Sequence, residues 1–387
     1  MHKILCLNKI SPIGTDRLGA NYEFSTEMQD PEGILVRSAA MHDMELPENL
    51  LAIARAGAGV NNIPIPKCSE KGIVVFNTPG ANANAVKELV LAALFMTSRK
   101  IVPAIDWAKT LKGNGKEVSK MVEKGKGAFA GPEIMGKKLG VIGLGAIGVL
   151  VANAAYRLGM QVYGYDPFLS VDAAWHLSSH IEKAASMDEI IANCDYITVH
   201  VPLNDSTRGL IGADALSKMK KGVRILNFSR GELVDTAALL PALAEGKVAA
   251  YATDFPDDAL IGVENVLAIP HLGASTPESE DNCAVMAVDQ IKDYLENGNI
   301  VNSVNFPAIS LPREGHTRIC IAHRNVPNTI GTFTAVCGEE NINIENMLSK
   351  SRGDWAYTIM DASGDICPTI IDKLNALDVV VRARLVK

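Results

Sequence analysis

The sequence predicts an α/β protein in which a doubly wound parallel sheet is inserted into a second α/β domain and followed by a small βαββαβ tail. Three observations carry that expectation. An apolar, glycine-punctuated stretch at residues 139–156 reads as strand, turn and helix. Short apolar runs then follow in βα rhythm at 194–203, 223–231, 248–256 and 266–274, the continuous pattern of buried parallel strands. A linker with two prolines at 302–315 sets off residues 317–387.

Length and charge bound the function. At 387 residues, and at roughly 150 residues per domain, two or three cores are expected. The formal net charge is −7 and like charges are not blocked together, so neither a nucleic acid nor a membrane surface is expected as partner. Cys6, Cys68, Cys194, Cys283, Cys320, Cys337 and Cys367 are scattered without CxxC or metal-ligand spacing, which suits packed, reduced thiols in a cytoplasmic protein and offers no metal site. The N-terminal apolar run is too short for a secretory signal.

In chain order, residues 1–100 read as a domain with strands at 3–8, 33–39, 51–59 and 72–80. Its closing helix, 84–98, has apolar positions around most of its circumference and is expected to be buried between domains. Residues 101–275 hold the main sheet. There Gly143, Gly145 and Gly148 form G-x-G-x-x-G, with Ala146 and Ile147 opening the helix and Asp166 ending the next strand. The first glycine permits a tight turn, the second lets a diphosphate approach the backbone, and the third lets helix and strand pack closely. The helix N-terminus then faces the phosphates. Asp166 suits free ribose hydroxyls and repels a 2′-phosphate, so NAD is expected rather than NADP; its bland alternative is a strand-end turn residue.

Ligands in such folds sit at the carboxyl ends of the strands. His200 with Pro202, Arg230, Asp254 with Asp258, and His271 with Gly273 should therefore share one rim. An arginine just past an apolar run needs an anion or a structural acid; Glu232 and Asp235 are the nearby structural choices. Arg230 could instead grip a substrate carboxylate bidentately, while His271 removes a hydroxyl proton as hydride leaves carbon. Alone, His271 could equally be a hydrogen-bonded structural residue.

The glycine fingerprint with its acid, "NFSRGELVD" at 227–235 and "PHLGAST" at 270–276 together resemble the D-isomer-specific 2-hydroxyacid dehydrogenases over residues 33–305. That resemblance implies Arg230 and His271 as catalytic residues. It further implies a split, flavodoxin-like substrate domain, 1–100 with a return helix at 276–305, and catalysis in the cleft between domains. The family's catalytic glutamate falls on Asp258, one methylene shorter, with Asp257 as the alternative. Substrate-side candidates are Arg37, Ser38, Ala58, Gly59 and Asn82. Arg37 would bring a second cation, which suits 3-phospho-D-glycerate; a glyoxylate, hydroxypyruvate or lactate enzyme and an NAD-sensing corepressor remain alternatives. The tail resembles the ferredoxin-like ACT regulatory domain, implying homo-oligomers and an L-serine site at His323, Asn325 and Asn343. Asn328 departs from the glycine usual in that turn, which would alter the turn.

Overall fold

A computed structural model describes residues 1–314, 317–363 and 369–386; Cys367 lies outside them. The chain forms two compact units, one of Met1–Asn82 with Pro277–Lys387 and one of Ala83–Thr276.

The second unit holds a seven-stranded parallel sheet in the order Val266–Ala268, Val248–Thr253, Val223–Asn227, Tyr196–Val199, Lys138–Ile142, Gln161–Tyr165, Glu182–Lys183. Strand order reverses between Tyr196–Val199 and Lys138–Ile142, the switch point of a Rossmann-type sheet. Register aligns the strand ends. Ile142 pairs with Val199, Val199 with Asn227, Asn227 with Thr253, and Thr253 with Ala268. Residues just past those positions therefore lie in a row, one strand spacing apart.

Helix Ala83–Arg99 belongs to this unit, so its boundary lies near residue 82 and not 100. Val86, Val90, Ala93 and Leu94, spaced i, i+4, i+7, i+8, share one core with Val141 and Leu226. The charge-free stretch 139–156 is divided among strand Lys138–Ile142, the glycine turn and helix Ala146–Arg157. Among the described residues no helix is long and apolar enough to cross a membrane.

The first unit has a five-stranded parallel sheet in the flavodoxin-like order Tyr22–Ser25, His2–Cys6, Gly33–Val36, Ala52–Arg55, Val74–Phe76. Helix Pro277–Asn297 lays Ala284, Ala287, Val288, Ile291 and Leu295 into its core. The tail's antiparallel sheet runs Asn343–Arg352, Trp355–Ser363, Thr317–Arg324, Val380–Val386. One face, with Ile319, Ile321 and Met360, packs with Phe333, Ile370 and Leu374 of the tail's own helices. The alternate residues Cys320, Ala322, Tyr357 and Ile359 join the core containing Phe76, Tyr294 and Phe306. The two central strands, Thr317–Arg324 and Trp355–Ser363, are thus buried on both faces, while Asn343–Arg352 keeps exposed positions.

Arginines of the tail and its linker close the far end of helix Pro277–Asn297. Its last four carbonyls have no partner within the helix and carry the negative end of its dipole. Arg384 donates to the carbonyls of Tyr294 and Leu295, Arg313 Nη1 to that of Glu296 at 2.8 Å, and Arg318 Nη1 to that of Asn297 at 2.8 Å. Arg318 is fully buried and forks onto Asp361 at 2.6 and 2.8 Å, with further bonds to the Leu311 and Pro312 carbonyls. All five of its donors are used.

Candidate functional site

The glycine turn fits a dinucleotide. Gly143 adopts φ +92°, and a Cβ there would lie 2.6 Å from the His200 carbonyl oxygen across the switch point. At Gly148 a Cβ would lie 1.9 Å from the Gly143 carbonyl oxygen, so only glycine lets the helix start so close to the strand. A Cβ at Gly145 meets nothing within 4 Å; the open side is where a diphosphate would approach. Asp166 accepts from the N–H of Leu144 and of Phe168, both at 2.8 Å, tying the second strand to the turn while lone pairs remain for ribose hydroxyls. Ala146 and Ile147 begin the helix whose N-terminus faces that space.

At the rim, Arg230 is held by its own loop. The buried Asn227 donates to the Arg230 carbonyl at 2.8 Å and accepts from the Ser229 N–H at 3.2 Å, and Ser229 Oγ donates to the Val199 carbonyl at 2.8 Å. Neither structural acid takes the guanidinium. Asp235 caps helix Thr236–Ala244, and Glu232 lies 3.9 Å from Arg208. Among the described residues no carboxylate comes within ion-pair distance of Arg230, which donates through Nη1 to the Ser229 carbonyl at 2.7 Å. Its Cζ stands 5.6 Å from the centroid of the Phe255 ring, whose centroid is 4.4 Å from that of His271. Phe255 therefore links the arginine and the imidazole.

Asp254 is only 2% exposed and feels the charges of both His271 and Arg230. Burial pushes its carboxyl above the usual aspartate range, and the charge of His271, the Gly273 N–H and the Arg230 guanidinium pull it back. Its Oδ1 is buried with no hydrogen-bond partner among the described residues, an acceptor open to the amide of a nicotinamide. Asp258 does not join this group: it is exposed and makes no hydrogen bond or ion pair with His271. The loop explains why. Asp257 accepts from Thr236 Oγ1 at 2.8 Å and from the Leu260 N–H at 3.1 Å, and this turn leaves Asp258 toward solvent.

His200 faces a different environment from His271. Burial pushes its pKa down to about 4; Nε2 bonds Thr198 Oγ1 at 2.9 Å and Nδ1 has no partner. Pro202 is exposed and its carbonyl accepts from Thr207 Oγ1 at 2.7 Å.

In the first unit, Asn8 Oδ1 accepts the N–H groups of Arg37, Ser38 and Ala39 at 2.8, 3.0 and 3.1 Å, fixing that loop after its strand. The Arg37 guanidinium meets Glu280 at 2.7 Å. Asn77 donates to the Ala58 carbonyl at 2.7 Å, beside Gly59, and Asn82 ends this part of the chain half-buried.

The three effector candidates do not meet within one chain. His323 pairs with Ala356 at one end of strand Trp355–Ser363, and Asn325 donates to the Gly353 carbonyl nearby, whereas Asn343 pairs with Ser363 at the other end. His323 is buried and bonded to Thr358 Oγ1 at 2.8 Å and the Arg324 carbonyl at 2.9 Å, and burial lowers its pKa. Asn328 adopts φ +65°, a left-handed conformation that asparagine tolerates better than most residues.

Sequence reasoning passed over Asn227, Ser229 and Phe255. A buried amide inside the apolar run "VRILNFSRG" and an aromatic directly after Asp254 were their signals.

Known proteins sharpen this picture. The D-isomer specific 2-hydroxyacid dehydrogenase NAD binding domain matches residues 91–273. D-3-phosphoglycerate dehydrogenase of Escherichia coli (strain K12) is 32% identical over 356 residues, 87% of this chain and 82% of that protein. The Rattus norvegicus protein of the same name is 37% identical over 305 residues, 76% of this chain; the chain spans 55% of that longer relative. The NAD+-bound 3-phosphoglycerate dehydrogenase of Entamoeba histolytica shares the fold with TM-score 0.61 at 26% identity, covering 79% of this chain and 98% of that one. The chain belongs to the D-isomer-specific 2-hydroxyacid dehydrogenase family, and its second unit is that family's NAD-binding domain.

Proposed function

We propose that this chain oxidises 3-phospho-D-glycerate to 3-phosphohydroxypyruvate with NAD, the opening step toward L-serine. The observation that carries the reading is the rim itself: Arg230 without a carboxylate partner among the described residues, joined through Phe255 to His271, with the buried Asp254 within reach of both charges. Bound NAD+ supplies the hydride acceptor. Arg230 takes the substrate carboxylate in its planar fork and fixes C2. His271 takes the C2 hydroxyl proton as C2 loses its hydride, so the alcohol becomes a ketone. Asp254 stabilises the imidazolium that results. Arg37 is assigned to the phosphate, and Ser38, Ala58, Gly59 and Asn82 to the rest of the substrate side. The names and identity of the relatives support this substrate over other 2-hydroxy acids.

Assembly into homo-oligomers is part of the proposal. Helices Ile101–Thr110 and Val118–Gly125 have no buried residue and leave Ile101, Val102, Ile105, Met121 and Val122 exposed, an apolar surface suited to a second copy. An L-serine site using His323, Asn325 and Asn343 would draw on two copies of the tail, since one copy separates them. The test is NADH formation from 3-phospho-D-glycerate, D-glycerate, D-lactate and glycolate, each with and without L-serine. Preferential turnover of the phosphorylated acid supports the reading, and turnover confined to unphosphorylated acids overturns it.

A further inference from the structure

We propose that Glu280 is a charge gate on Arg37, setting how strongly the protein prefers a phosphorylated 2-hydroxy acid over an unphosphorylated one. The inference rests on the assignment of Arg37 to the substrate's second anion. Its main chain is immobilised: three N–H groups at residues 37–39 converge on Asn8 Oδ1, and Arg55 Nε donates to the Arg37 carbonyl at 3.0 Å. The guanidinium is by contrast 41% exposed, and it meets the 46% exposed carboxylate of Glu280 at 2.7 Å. Glu280 sits in the first turn of helix Pro277–Asn297 beside Glu278. Asp281, next along, is occupied by Ser11 Oγ.

An ion pair this exposed shifts an equilibrium by no more than a few-fold. A phosphate monoester carries close to two negative charges at neutral pH and presents three acceptor oxygens, so it can displace one carboxylate from Arg37. It must then reside beside the carboxylate it displaced. Glu280 therefore preorganises the guanidinium and at the same time taxes the phosphate, whereas an acid lacking phosphate escapes the tax. Glutamine at 280 would keep an acceptor for the guanidinium and remove the charge.

The test is a cycle of wild type, E280Q, R37A and R37A/E280Q, reading the ratio of kcat/KM for 3-phospho-D-glycerate over D-glycerate. E280Q should raise that ratio about twofold to fivefold, carried in KM, and should raise it less in the R37A background, because the part of the effect that runs through the guanidinium disappears with its partner. In parallel, inorganic phosphate titrated by 31P NMR should bind E280Q more tightly than wild type by a similar factor and R37A more weakly than either. E280A serves as the second uncharged variant, with a melting curve to confirm the fold. An unchanged ratio, or the same rise with and without Arg37, overturns the gate. If wild type oxidises other 2-hydroxy acids but not 3-phospho-D-glycerate, the assigned substrate fails, and the phosphate titration alone decides the gate.

Discussion

Asp254 and Asp258 close one short loop, yet only the first is buried and coupled in charge to His271 and Arg230. Replacing a buried charged partner costs about 2–5 kcal/mol, whereas an exposed acid costs little. D254N should therefore lower kcat/KM by about 100-fold and D258N by less than about threefold in steady-state assays; the reverse order would return the carboxylate role to Asp258. His200 yields a stability prediction. Its pKa is depressed to about 4 in the fold, from about 6.5 in an unfolded chain. The unfolded state binds a proton the folded state refuses, so stability present above about pH 6.5 is lost as pH falls toward about 4, by up to about 3 kcal/mol. Denaturant midpoints at pH 7.5 and 4.5 should differ less in H200Q, with His323 adding to the residual slope in the same direction; an equal slope contradicts this. The glycine fingerprint was legible because each glycine answers a local backbone demand. The fate of Asp258 was not, because it follows from how Thr236 and Leu260 hold Asp257.

At the scale of elements, helix Pro277–Asn297 illustrates what sequence patterns carry and what they omit. Pro277 at its start and Gly298 at its end, with φ +73°, marked its bounds. Its cationic C-terminal cap was invisible, since the last turn has no basic residue and the arginines arrive from the linker and tail. Breaking a buried pair by removing one partner costs about 3–5 kcal/mol. D361N should accordingly lower the thermal midpoint of the first unit and speed amide exchange in the last turn of this helix; an unchanged midpoint would mean that Arg318 is held by carbonyls alone. The helices between Ile101 and Gly125 went unread for a physical reason: their apolar residues face no core of their own unit.

For the whole molecule, the separation into units is where sequence reading came closest and still moved. The doubly wound sheet followed from apolar runs and turn residues, and the flavodoxin-like domain from the family resemblance, but helix Ala83–Arg99 fell to the NAD-binding unit because its apolar stripe matches that sheet. The tail joined the first unit through a second dry face that alternation could show but not assign. Assembly is testable at this scale. Ile105→Glu places a charge on the exposed apolar helix face and should shift the sedimentation profile to a smaller species; an unchanged profile locates the contact elsewhere. The central claim is that Arg230 holds the carboxylate of the reacting acid. The direct measurement is kcat/KM for NADH formation from 3-phospho-D-glycerate by wild type and R230A, under saturating NAD. Loss of a bidentate charged contact predicts a fall of at least about 100-fold, and a value within threefold of wild type would contradict the account.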